Sequence, residues 1–192
     1  MSLVANCGGA LSAENVRLIV VHYTGGDSVE SAVAWFRNRS SKVSAHVVIG
    51  RDGKCAWPVP YNRVAWHAGK SSWGQYSALN VWSIGIELVN LGPLVQRGQE
   101  FTTLVATGKR IKACDVHIGY HKNGVSQHRY WHKYTPEQID KLRETVVELK
   151  TMFPRIEAVV GHDDVAPERK LDPGPALADE MPKLQDLLKS LS

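Results

Sequence analysis

The apolar positions of the chain fall into short runs and helical stripes separated by turn signals. Val16-Arg17-Leu18-Ile19-Val20-Val21-His22 reads as a buried strand that ends in histidine and is followed at once by Thr24-Gly25-Gly26. Asp27-Ser28-Val29-Glu30 then has the form of a capping box, with Asp27 as the cap and Glu30 reaching back. Val29, Ala32, Val33 and Phe36 recur at helical spacing, which predicts a helix of about three turns with one buried face. Asp52-Gly53 lies between the apolar arms of the 46–59 segment, a strong hairpin signal, and His46 at its start is expected to be structural or supporting. In Val81–Asn90, Ile84, Ile86 and Leu88 share one strand face, while Ser83, Gly85, Glu87 and Val89 share the other. Thr135-Pro136-Glu137-Gln138 opens the main helix as a second capping box, and Ile139, Leu142, Val146 and Leu149 form its buried stripe. Ile156–Val160 reads as one more buried strand. Two helical pieces, Ala176–Glu180 and Lys183–Leu191, close the chain.

The stretch 91–133 breaks this order. It carries Gly98, Gly108, Gly119 and Gly124 and no sustained periodicity, so it is expected to be a long irregular excursion with at most short elements. His117 and His121, and again His128 and His132, stand four apart there. Gly119 interrupts the first pair and Arg129-Tyr130-Trp131 the second, which disfavours a helical metal motif and favours a flap facing substrate or a partner.

Chemistry concentrates where strands end. Gly161-His162 follows the last strand and opens a segment with three prolines and a glycine. That composition predicts a stiff, turn-rich loop without regular helix, presenting His162, Lys170 and Asp172 within eleven residues. A hydrolytic zinc takes three side chains from His, Asp, Glu or Cys and keeps one position open. His22, at the end of another strand, is the best third candidate beside His162 and Asp172. Taken alone, a strand-end histidine is more often a satisfied structural residue. Glu87 is a carboxylate inside a strongly apolar strand, on a face opened by Gly85; buried acids are rare unless paired or functional. Trp66 and His67, in Ala65-Trp66-His67-Ala68-Gly69, suit either a groove wall or packing.

Composition narrows the picture only a little. A chain of 192 residues with 22% charged residues is expected to form one soluble domain with a sizeable core. No apolar run approaches the roughly 18 residues of a membrane span, and no secretory signal is visible near the start. The protein is therefore expected in the cytoplasm, or released from it by lysis. The net charge of +4 favours an anionic partner mildly, but the basic residues are scattered and no nucleic-acid partner is expected. Cys7, Cys55 and Cys114 are too widely spaced for a zinc ribbon, so any metal must rely on His and carboxylate.

Together Val21-His22-Tyr23-Thr24, Ala45-His46 before an Arg-Asp-Gly turn, Ala65-Trp66-His67-Ala68-Gly69, Ser83-Ile84-Gly85-Ile86-Glu87-Leu88, and Gly161-His162 through Arg169-Lys170-Leu171-Asp172-Pro173-Gly174 resemble the type 2 N-acetylmuramoyl-L-alanine amidases. These are zinc enzymes related to peptidoglycan recognition proteins. The likeness runs in order over residues 16 to 178, interrupted at 91–133. It implies an α/β fold, a single domain at 1–192 with a mixed central β-sheet flanked by α-helices and an irregular insertion at 91–133. It also implies a zinc ion on His22, His162 and Asp172, with Glu87 as the base acting on the attacking water and Lys170 as donor to the oxyanion. Trp66 and His67 would border the groove. The implied substrate is peptidoglycan or a muropeptide, cut between the lactyl group and L-alanine, in a bacterial or phage lysin or a recycling enzyme. Some relatives have Tyr where this chain has Ala45, which leaves the base to Glu87. A non-catalytic peptidoglycan-binding module on the same fold is the alternative. Substrate size, stem-peptide preference and oligomeric state stay open.

Overall fold

The computed structural model describes residues 6–104 and 109–191. In chain order its main elements are β1 (Leu18–Tyr23), α1 (Val29–Arg37), β2 (Val47–Ile49), β3 (Cys55–Ala56), β4 (Ser83–Leu88), then the insertion strands β5 (Pro93–Arg97), β6 (Glu100–Thr103), β7 (Arg110–Ile111), β8 (Val116–Ile118) and β9 (Tyr130–His132), followed by α2 (Pro136–Met152), β10 (Ala158–Gly161), α3 (His162–Val165) and α4 (Met181–Ser190). The central sheet has the order β10-β1-β4-β2-β3. The first four of these strands run parallel, and β3 returns antiparallel through the expected hairpin. This is the mixed α/β sheet flanked by helices.

Two apolar layers hold it. On one face Ile19, Val21, Ile84, Ile86 and Leu88 pack against Leu142, Val146 and Leu149 of α2 and Leu184 and Leu188 of α4. On the other, Leu18, Val20 and Val160 pack against Ala68 and Leu79, while α1 places Ala32 and Phe36 against Val48 and Val89. Fully burying such a side chain is worth about 1.5–3 kcal/mol, so this sheet is the rigid part of the molecule. Thr135 and Gln138 form the predicted capping box of α2.

Three expectations need correction. The cap of α1 is Ser28, whose side chain accepts from the Ser31 amide, so the helix starts one residue later than an Asp27 cap requires. Asp27 instead pairs with Lys109 at 2.9 Å. The segment after β10 is not wholly irregular, because His162–Val165 makes one helical turn before the first proline, Pro167, can interfere. Finally, the insertion has only short elements, as expected, but they are not an irregular excursion. Its short strands pair into a five-stranded antiparallel sheet of order β7-β6-β5-β9-β8 around Leu94, Ile111 and Val116. No helix among the described residues is long and apolar enough to cross a membrane.

Candidate metal centre

Parallel register brings the chemistry together. His22 is the penultimate residue of β1, Glu87 the penultimate residue of β4, and the two are direct partners across the ladder. Their side chains therefore stand next to each other on the same sheet face. β10 lies on the other side of β1 and delivers His162 one residue beyond its end. The carboxyl ends of three adjacent parallel strands thus converge, the usual place for a site in an open α/β sheet. The loop that follows returns Asp172 to the same point, where the Asp163 amide donates to the Asp172 carbonyl at 2.8 Å.

His22 Nδ1, His162 Nδ1 and Asp172 Oδ2 each lie 2.9 Å from the other two, and all three residues are buried. The far nitrogens settle which atoms carry protons. His162 Nε2 lies 3.1 Å from the Ala68 carbonyl, which can only accept, so this nitrogen donates. Ser83 Oγ donates to the Leu79 carbonyl at 2.6 Å and so accepts from His67 Nε2 at 3.3 Å. His67 Nδ1 is then an acceptor and receives the proton of His22 Nε2 at 3.0 Å. For neutral imidazoles, both Nδ1 lone pairs are left facing each other and a carboxylate oxygen. Three acceptors without a proton between them repel. A cation at their centre turns that repulsion into coordination, and the two-nitrogen, one-oxygen set is of the kind zinc accepts.

The electrostatics agree. Burial, then the charge of His162, lowers His22 to about 4, which keeps it neutral and able to ligate. Burial works to raise Asp172, but the His162 and His22 rings that face it outweigh burial and hold it well below the usual carboxylate range. Burial followed by the charge of Asp172 pushes Glu87 up to about 8, with Lys170 pulling the other way. Glu87 Oε2 is buried and has no hydrogen-bond partner among the described residues.

A cleft of about 610 Å³ opens over these groups, and Glu87, Lys170, Trp66 and His67 all line it with the three candidate ligands. His67 does so with its ring filling the space above Gly85, where a Cβ would lie 2.5 Å from His67 Cγ. That is why the strand is open at Gly85. His46 stands behind, accepting from the Gly85 amide and donating to the Arg63 carbonyl, both at 3.0 Å. Other residues of the cleft escaped the sequence analysis. Trp35 is 55% exposed and lines the cleft from α1; its position off the buried stripe of Ala32 and Phe36 was the available signal. Arg169, which lines the cleft and whose guanidinium donates to the carbonyls of Ala68 and Lys70, gave none, and neither did Ser83, which stands behind His67.

Residues 12–175 match the family model described as N-acetylmuramoyl-L-alanine amidase. The chain is 34% identical over 136 residues to the 1,6-anhydro-N-acetylmuramyl-L-alanine amidase AmpD of Citrobacter freundii, covering 70% of this chain and 52% of that protein. It is 32% identical over 168 residues to the N-acetylmuramoyl-L-alanine amidase AmiD of Escherichia coli, covering 83% and 49%. The chain thus spans about half the length of the curated relatives it matches. Among solved structures, E. coli AmiD in complex with the substrate anhydro-N-acetylmuramic acid-L-Ala-D-gamma-Glu-L-Lys superposes with a TM-score of 0.64 at 27% identity, covering 88% of this chain and 57% of that one. AmpDh3 of Pseudomonas aeruginosa in complex with anhydromuramic pentapeptide gives 0.62 at 27%, covering 88% and 60%.

Proposed function

Because this chain belongs to the N-acetylmuramoyl-L-alanine amidase family, we propose that it hydrolyses the amide bond between the lactyl group of N-acetylmuramic acid and L-alanine of a peptidoglycan stem peptide. The observation that carries the reading is the convergence of three proton-free acceptors, His22 Nδ1, His162 Nδ1 and Asp172 Oδ2, which would hold zinc. Bound there, zinc supplies a Lewis acid that polarises a carbonyl and makes water easier to deprotonate.

The chain's own residues divide the remaining work. Glu87 lines the same cleft, and its partnerless Oε2 is free to take the proton of the attacking water. Burial pushes Glu87 up, and zinc held by the three candidate ligands would work the other way, favouring its charged, basic form. Lys170 brings an ammonium to the same cleft, where it would donate to the oxyanion that develops on the amide carbon. His67 fixes the tautomer of His22, and the Ala68 carbonyl does the same for His162, so the Trp-His-Ala-Gly motif supports both ligands from behind. Trp66 and Trp35 border the cleft and offer apolar surface to a glycan or peptide. The ligands named in the structures of AmiD and AmpDh3 support muropeptides as the substrate class.

The test is a product assay on muropeptides by mass spectrometry, with and without a chelator. A released stem peptide beginning with L-alanine, lost with chelator and restored by zinc, is the expected result. Zinc binding without cleavage of intact or anhydro substrates would replace the amidase by a binding module on the same fold.

A further inference from the structure

The insertion reaches back to the turn that carries His162. His121, Lys122 and Asn123, in the connection between β8 and β9, all contact the segment that starts at α3. His121 Nε2 lies 3.0 Å from Asp163 Oδ2, and both side chains are almost wholly buried. The Asn123 amide donates to His121 Nδ1 at 3.2 Å, so Nε2 carries the proton and donates to the carboxylate. Lys122 Nζ stands 3.0 Å from Asp163 Oδ1 and 2.6 Å from Asp164 Oδ1. The Asn123 side chain donates to the carbonyls of Asp163 at 2.8 Å and Pro167 at 3.3 Å.

The residues so gripped flank the candidate ligands. Asp163 follows His162 directly, and its amide donates to the Asp172 carbonyl. Asp164 closes the turn onto the Gly161 amide at 2.8 Å. A second contact from the insertion meets the loop just beyond the other candidate ligand. Trp131 packs on Gly174, two residues beyond Asp172, where a Cβ would lie 3.1 Å from the indole. Trp131 is itself held by its indole N–H donating to the Gly119 carbonyl at 3.0 Å. We propose that the 121–123 segment is a positioning clamp, through which the insertion holds His162 and Asp172 in their converging arrangement and so sets the affinity for the metal.

This rests on the zinc reading above. An unclamped turn would have to be ordered at the moment of binding, and that cost appears as weaker affinity. Groups that orient metal ligands from behind typically change affinity 10–100-fold when removed.

The experiment is zinc competition with a chromophoric chelator on the full chain, with thermal midpoints measured for metal-free and zinc-loaded forms. His121→Ala is expected to weaken zinc by roughly tenfold, with a smaller loss in Asn123→Ala. His121→Gln, which keeps a donor, should recover most of the loss. The zinc-dependent rise in midpoint should shrink in the same order. Variants that lose thermal stability equally in both forms and keep wild-type zinc affinity would overturn the clamp. If His121→Ala does not fold, Asn123→Ala, whose contacts lie at the edge of the cluster, decides the matter by the same criterion. A wild-type chain that binds no zinc would overturn the amidase reading and the clamp together, whereas equal zinc binding by wild type and variants would remove the clamp alone.

Discussion

Two residues in the cleft have roles that single substitutions separate. Glu87→Gln keeps the shape of the side chain and leaves His22, His162 and Asp172 in place, but it removes the proposed base. Zinc content should stay that of the wild type while turnover falls by roughly 10²–10⁴-fold, the usual contribution of a positioned proton acceptor. Metal analysis beside a rate measurement checks this; wild-type turnover would remove Glu87 from the chemistry. As the proposed oxyanion donor, Lys170→Ala should act on kcat more than on KM, by roughly 10²–10³-fold, because the charge it would stabilise is absent from the ground state. A change confined to KM would make Lys170 a binding residue instead. At this scale the sequence was readable where a residue type was out of place. Glu87 stood out as an acid in an apolar strand, and His22 and His162 as histidines at strand ends. His67 was not readable in the same way. A histidine in a loop carries no sign of which ring atom meets what, and its contact with His22 exists only because Gly85 leaves room across the sheet.

Elements differ in how much of their role is local. The capping box of α2 was legible because its signal lies within four residues. Gln138 also does something no local pattern shows. It is fully buried, and its side-chain amide donates to the Val89 carbonyl at 2.9 Å and the Ile49 carbonyl at 3.4 Å, tying the start of α2 to the ends of β2 and β4. Gln138→Ala should cost roughly 1–3 kcal/mol for the Val89 carbonyl that loses its Gln138 donor, beyond the loss of the cap. Ser28→Ala, at the exposed cap of α1, should cost about 1 kcal/mol. Urea unfolding compares the two, and equal costs would mean that water reaches the carbonyls that Gln138 serves. The insertion sheet was illegible for a related reason. Its strands are two to five residues long, too short for a period of two to stand out from chance. Its pairings join β9 to both β5 and β8 across a long connection. The α1 cap was misplaced by one residue because Asp27 and Ser28 are both good caps, and a contact with distant Lys109 takes Asp27 away.

Over the whole molecule, the histidines make stability depend on acid. His22, His46, His67 and His132 are held below their ordinary value, burial being the largest cause of each. The effect of His46 can be isolated from the candidate site, since it touches none of the three candidate ligands by hydrogen bond. Burial lowers it to about 4, against an ordinary value of 6.5, with only the Arg63 carbonyl pulling upward. Above pH 6.5 neither the folded nor the unfolded chain holds a proton there, and stability does not change with pH on its account. Between 6.5 and 4 the unfolded chain takes up a proton that the folded chain refuses. Acid therefore favours unfolding, by roughly 1.4 kcal/mol per pH unit at full difference. Burial with Arg51 nearby lowers His132 to about 4 as well, which adds in the same direction. Unfolding free energies measured from pH 7.5 to 4.5 should hence fall more steeply for the wild type than for His46→Gln, which keeps a donor for Arg63 but cannot take up the proton. Parallel curves would show that His46 is not held neutral in the fold and that its burial between the Gly85 amide and the Arg63 carbonyl does not exclude the proton.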